Sequence, residues 1–447
     1  MPQETAPLII EHLEAAGDGH AAYGWHMRAA TWATNRDIAA ARLSWERAVE
    51  IADAVPAEDP NRVAMRIAPR TVLCGIAWRV HVNVAGDRFE ELRQLCTAAG
   101  DMASLGIGMA GLVIDHAFQG RMREASQLAS EAWDLAESVG DPTLTVGLSF
   151  ASIYAKLQCG QWPDVLRWSQ RAIDLADGDP SKGNFLIGSP LALVFTSRAT
   201  ARYCLGHSGW RDDLRHGLDM ARSADPLTYA AVVGWGYFPG ITVGALAADD
   251  RAVREIEDAI RIAERSSDDL AVDFARVTLG VALVQRRAAA EREQGQKLLA
   301  QLSEVFACRG YLLDLSSLVN VYVARERAGC GDRDSAIPLM RAAADHLFRQ
   351  RQVLAWGIPA TGVLVETLLD RGADGDMAEA EAAIERLAAA PADDGPVIRD
   401  IWLLRMRALL AKALGDETSY RDYRDRHRDM AKTLGYEGHI EWAEATP

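Results

Sequence analysis

Chemistry in this chain could sit on polar side chains placed inside apolar helical stretches. Arg79, His81 and Asn83 alternate through the apolar run 70–84, Asp115 and His116 fall near the end of 105–118, and Tyr154 and Lys156 lie within 144–157. Such a mixture can hydrogen-bond both the backbone and the side chains of an extended peptide. Burying these groups without partners would cost roughly 1–3 kcal/mol each, so their presence in apolar helices needs a reason. Two arrangements supply one. Either successive helices bring them to one concave wall as a binding surface, or they are helix ends that reach solvent in scattered directions.

Catalytic constellations are harder to assemble. Gly106-Ile107-Gly108-Met109-Ala110-Gly111 fits G-x-G-x-x-G, but no strand precedes it, so small residues at a close helix crossing explain it better. Gly206-His207-Ser208-Gly209-Trp210 lacks the last glycine of a nucleophile elbow. There is no phosphate-binding G-x-x-x-x-G-K-[ST] and no H-E-x-x-H. The six cysteines (74, 96, 159, 204, 308 and 330) form no C-x-x-C pair and read as small hydrophobes in a reducing compartment. No catalytic, cofactor-binding or metal-ligating residue is assigned, no cofactor is expected, and the chain reads as a non-enzyme.

The elements that must position these residues repeat. After Gly120 an apolar stripe of Ala125, Leu128, Ala129, Ala132, Leu135 and Ala136 ends at Asp141-Pro142. After Gly160 the same offsets carry Val165, Trp168, Ser169, Ala172, Leu175 and Ala176, ending at Asp179-Pro180. Offsets of three and four define one face of a helix, and a wholly apolar helix lies between the two copies. The last stripe residue recurs at Ala136, Ala176, Ala221, Ala263, Leu347 and Ala431, with absent members expected near Phe306 and Ala389. A repeat of this kind stacks into a solenoid because one helix pair cannot cover its own apolar face. The expected fold is all-α: one solenoid over 1–447 of about ten stacked antiparallel helix pairs, resembling tetratricopeptide (TPR) repeats in a right-handed superhelix. A helix starting at Arg70 after Pro69 is expected. So is a broken helix over Tyr229–Leu246, interrupted by four glycines and Pro239, where a small-molecule pocket could open.

Charge narrows the partners. A net charge of −15 disfavours nucleic acid and anionic membranes. No signal peptide or uninterrupted apolar span is visible, so a cytoplasmic location is expected.

The run Tyr420-Arg421-Asp422-Tyr423-Arg424-Asp425-Arg426, followed by Met430 to Ala445 (MAKTLGYEGHIEWAEA), resembles the C-terminal end of actinobacterial, especially mycobacterial, signalling proteins that join a nucleotide cyclase, an AAA-type ATPase and a TPR-like helical region. Residues 22–29 (AYGWHMRA) and 31–37 (TWATNRD) are similar to part of the same region. The resemblance implies the helical module alone, with cyclase and ATPase residues belonging to domains upstream. It further implies a module that senses a protein or peptide, with a cyclase or ATPase among its partners. The alternative is an effector sensor with its pocket near 229–246.

Overall fold

The computed structural model describes residues 6–34, 36–79, 87–265, 268–392 and 395–445. Among them are twenty-two α-helices and no strand. His81 and Asn83 lie outside the described residues.

The array opens with α1 (Ala6–Ala15), α2 (Gly19–Ala33), α3 (Ile38–Ala54), α4 (Arg62–Gly75) and, after a 3₁₀ turn at Ala77–Arg79, α5 (Asp87–Ala99). The regular pairs follow: α6 (Met102–Phe118) with α7 (Met122–Val139), α8 (Pro142–Gln158) with α9 (Trp162–Ala176), and α10 (Pro190–Leu205) with α11 (Trp210–Ala221). Next are α12 (Pro226–Thr242) with α13 (Asp250–Glu264), and α14 (Asp269–Val284) with α15 (Ala289–Arg309). The last are α16 (Leu313–Gly329) with α17 (Arg333–Arg349), α18 (Ile358–Arg371) with α19 (Asp376–Ala388), α20 (Val397–Leu414) with α21 (Glu417–Leu434), and finally α22 (Glu437–Ala445).

Each pair has an inner and an outer member, and the division follows from composition. The outer helix α13 buries Ala252, Ile256, Ala259 and Ala263, one stripe at helical spacing, and leaves the rest to charge. The inner helix α8 buries every residue from Leu144 to Gln158 because it is covered on all sides. Starts and stops are equally local. Asp18, Asp37, Asp101, Asp141, Asp225, Asp249, Asp268 and Asp416 each accept a hydrogen bond from an amide in the first turn of the helix they precede. The stripe markers Ala136, Ala176, Ala221, Ala263, Phe306, Leu347 and Ala431 are all buried. The remaining one is Leu387 rather than Ala389, which is exposed.

Two elements differ from expectation. Pro69 lies inside α4 instead of preceding it, with its ring buried, and the helix ends at Gly75. The helix at 226–242 is continuous, although Pro239 lies within it. Its glycines mark close approaches rather than breaks: a Cβ on Gly234 would stand 2.3 Å from the Phe274 ring, and one on Gly236 2.9 Å from Leu214. Gly111 behaves alike, since a Cβ there would stand 2.0 Å from the Cys74 carbonyl where α6 crosses α4.

The superhelix is tight enough to meet itself. The turn after α6 touches Leu313 at the start of α16, and the turn after α8 touches Leu354 just before α18. The turn after α10 meets Val397 of α20, and the turn after α12 meets Trp442 of α22. Each contact joins a pair to the element five pairs later, so the second turn rests on the first. One contiguous apolar cluster runs from Ala30 to Tyr436. Val353–Arg371 has the length and hydropathy of a membrane span, but 78% of its apolar window is buried against other helices, as an inner helix requires.

Candidate functional site: an aromatic cavity and a basic cleft

Tyr154 and Lys156 stand two residues apart on α8. Positions so spaced point to different faces of a helix.

Tyr154 faces the superhelix axis. There the inner helices α6, α8, α10, α12 and α14 enclose a cavity of about 70 Å³, walled by Trp78, Phe118, Phe150, Trp235 and Phe274 among others. The Tyr154 ring meets Trp235 and Phe118 edge-on, with centroids 4.9 and 5.8 Å away. Its hydroxyl donates to Asp314 on α16, and the Gln158 amide donates to both the Tyr154 oxygen, at 2.8 Å, and Asp314. Trp356 donates its indole N–H to Gln158, and Gln352 donates to the Asp314 carbonyl at 3.1 Å. Complete burial pushes the Asp314 carboxyl up to about 7 and keeps the Tyr154 phenol protonated. This network fastens one turn to the next.

Lys156 faces outward into a cleft of about 1150 Å³ at the seam between turns. One wall is α7 and the α8–α9 junction; the other is the end of α17, the segment 351–354, and α19 with the loop after it. Lys156 is 96% buried as a residue; its amine donates to Ser126 Oγ at 3.3 Å, approaches Asp164 at 3.7 Å, and lies 5.3 Å from the centroid of the Trp168 ring. Burial depresses its pKa, partly opposed by Asp164. Cys159 also lines the cleft, but burial raises its thiol to about 11, so it is not a thiolate nucleophile at neutral pH.

The other expected residues go elsewhere. Arg79 reaches Asp268 at the start of α14, 3.0 Å away, another contact across five pairs. Asp115 lies by Arg121, at 3.6 Å, and accepts from Gln119 at 2.9 Å; burial raises its carboxyl. Burial lowers the His116 imidazole to about 4, aided by Arg121. Of the expected wall, Arg79, Asp115, Tyr154 and Lys156 thus each have partners of their own within the fold, and Tyr154 and Lys156 point to different faces of α8.

The C-terminal run that carried the family resemblance has a structural role here. Tyr436 donates to the Tyr203 carbonyl, and the Trp402 indole to that of Val243 at 2.9 Å. His439 Nε2 also bonds the Val243 carbonyl, at 3.0 Å, so Nε2 carries the proton and Nδ1 accepts from His427 Nε2 at 3.0 Å. Burial keeps both rings neutral, His427 near pKa 4 and His439 well below its usual value. Among the described residues no group of three or more His, Cys, Asp or Glu is placed to hold a metal.

No family model matches the chain, and no curated protein matches it. Two solved structures align along nearly all of it. A Rap protein complexed with competence and sporulation factor shares 12% identity over 98% of this chain and 99% of its own, with a TM-score of 0.38. A circular tandem repeat protein with novel repeat topology and enhanced subunit contact surfaces shares 15% identity over 99% and 96%, with a TM-score of 0.20. Likeness this shallow carries no argument about the site.

Proposed function

We propose that the chain is a non-catalytic, TPR-like binding module, a single array over 1–447, that captures a protein or peptide segment in the cleft between its turns. The supporting observation is the cleft itself: about 1150 Å³, lined by both apolar and polar side chains, against about 70 Å³ for the cavity among the inner helices. An extended chain presents backbone groups and alternating side chains, which such a seam can accept. The resemblance of residues 22–37 and 420–445 to cyclase–ATPase–TPR proteins adds a regulatory setting, control of a signalling ATPase or cyclase.

The test is a photo-crosslinking peptide array on the full chain, with sites mapped by mass spectrometry. Crosslinks within 123–163 and 348–392 are expected. An array that crosslinks only elsewhere, or nowhere, overturns the reading. The purified chain should also neither cyclise nor hydrolyse ATP. Turnover that a point substitution in this chain abolishes would overturn the non-catalytic part.

A second reading is favoured by the axial cavity, which Leu227, Thr228, Ala231 and Trp235 of α12 help to line. A small apolar effector there would raise the melting temperature by mass action, while peptides would not.

A further inference from the structure

The cleft's charge is opposite to that of the chain. Four cations line it, Arg123, Lys156, Arg351 and Arg386, against one carboxylate, Glu131, in a protein of net charge −15. Arg386 is already held by Asp345 at 2.5 Å and stacks on Phe348. Among the described residues, Arg123 and Arg351 have no carboxylate partner, and both are exposed. Among the described residues, the carboxylate nearest the Lys156 amine is that of Asp164, at 3.7 Å, beside its hydrogen bond to Ser126.

The placement of Arg351 is itself informative. Helices α6 and α8 end in the same way: Gly120 and Gly160 take positive φ, and the next amide bonds back five residues, Arg121 to His116 and Gln161 to Lys156. Helix α17 ends with this geometry too, Gln352 N–H bonding the Leu347 carbonyl at 2.9 Å, yet the left-handed position holds Arg351, at φ 61°. An arginine there is disfavoured by its Cβ where glycine is free. Gln352, buried and bonded to α16, pins the segment, and one turn of π-helix follows at Val353–Gly357. Such turns concentrate at functional sites. Across the seam, the indole N–H of Trp162, a cleft residue 97% buried, has no hydrogen-bond partner.

We infer that the occupant of the cleft is an acidic peptide segment, whose carboxylates pair with Arg123 and Arg351 on opposite rims while Lys156 and the Trp162 indole offer donors at the base. This rests on the peptide-binding reading and names the chemistry of its partner. Two exposed arginines on opposite walls of one cleft, with no carboxylate partner among the described residues, discriminate by charge, since each is a planar donor fork for a carboxylate. Lysine-rich segments meet repulsion from the same groups, which adds selectivity against the wrong partner.

The experiment measures fluorescence anisotropy with the full chain and three labelled peptides of equal length, identical except for Glu, Gln or Lys at alternate positions. The Glu peptide is expected to bind about tenfold or more tighter than the Gln peptide. That preference should shrink when ionic strength rises from about 0.05 to about 0.5 M. Arg123→Glu with Arg351→Glu, both exposed and so tolerated by the fold, should abolish the preference while the thermal melt stays in place. Lys156→Met, which keeps the stem packed on Trp168, should weaken the Glu peptide more than the Gln peptide.

Equal binding of the Glu and Gln peptides, both crosslinking to the cleft, sinks the acidic preference and leaves peptide capture standing. Failure of all three, together with an empty peptide array, sinks peptide capture itself. Inorganic phosphate that binds the double-arginine site when the Glu peptide does not would reassign it to a small anion and overturn the inference.

Discussion

The cavity beside Tyr154 and the cleft beside Lys156 share one helix and little else. On the axis, inner helices meet one another, so polar groups look for partners inside the protein; Tyr154, Asp314, Gln158, Gln352 and Trp356 bond one another, with Asp314 Oδ1 left without a hydrogen bond among the described residues. At the seam, two turns meet only along their edges, and water reaches the arginines. Unpaired charge is tolerated there and excluded from the axis. In a superhelix whose second turn rests on its first, the concave face becomes core and the larger open volume lies at the seam between turns. An open solenoid would keep it inside.

The comparison breaks first on stability. Trp235→Ala removes a buried ring that packs on Tyr154 and Phe274. It should cost about 3–5 kcal/mol, whereas Arg123→Ala at the cleft rim should stay within about 0.5 kcal/mol. Denaturant unfolding of the two variants checks both numbers, and similar losses would mean that cavity and cleft are not energetically distinct. Tyr154→Phe is the finer cut. It keeps the ring and deletes the hydroxyl that bridges Asp314 and Gln158, for a loss of about 1–3 kcal/mol. A loss below about 0.5 kcal/mol would show that the network does not fasten the turns.

The outer helices were legible because one side of each faces water: the stripe of α9 and the Asp-Pro entry to α8 are statements about local spacing and capping. The inner helices are legible as apolar runs, 105–118 for α6 and 144–157 for α8, but the neighbour each face meets is not, because a helix buried all round has no period to read. Pro69 reads locally as a boundary but lies inside α4, and the glycines of α12 read as breaks but are contact points. Tyr154 and Lys156 stand out in the sequence as polar residues in an apolar helix. Their destinations depend on where the second turn lands, about 160 residues away for Asp314, which local spacing cannot convey. Arg351 was missed, although a long side chain standing where α6 and α8 have glycine was a readable signal. Arg123 carries no such mark, because an exposed arginine in an outer helix looks like any solvated charge.

Protonation sharpens the contrast next. Burial pushes the Asp314 carboxyl from its ordinary 3.8 up to about 7, so between these values the folded state holds a proton that the unfolded chain has released. Its contribution is therefore fully present below about pH 4 and is lost as pH rises through about 7. The buried imidazoles of His116 and His427, lowered to about 4, act with the opposite sign: their contribution is present above about 6.5 and lost as pH falls through about 4. A bare stability profile mixes the two, so the observable is the difference between wild type and Asp314→Asn. That difference should move against the wild type as pH rises from about 4.5 to about 7.5, since only the wild type loses its proton. A flat difference would show that the carboxyl does not titrate in this window.

The smallest expected effect has the most unusual sign. At Arg351 the fold uses arginine where its own pattern uses glycine, and glycine at φ 61° meets no Cβ penalty. Arg351→Gly should therefore leave the protein unchanged or more stable by up to about 1 kcal/mol, the left-handed relief being partly offset by the freer unfolded chain. If arginine were there for packing, the same change would destabilise, but the side chain is exposed and has no carboxylate partner among the described residues. The acidic-peptide reading predicts that the stable variant binds the Glu peptide more weakly, with the Gln peptide little changed. Stability and binding would then move in opposite directions at one residue, as expected where local strain is retained for function. A variant that loses stability and keeps its Glu preference would show that Arg351 serves the fold, and the cleft would lose one of its two rims.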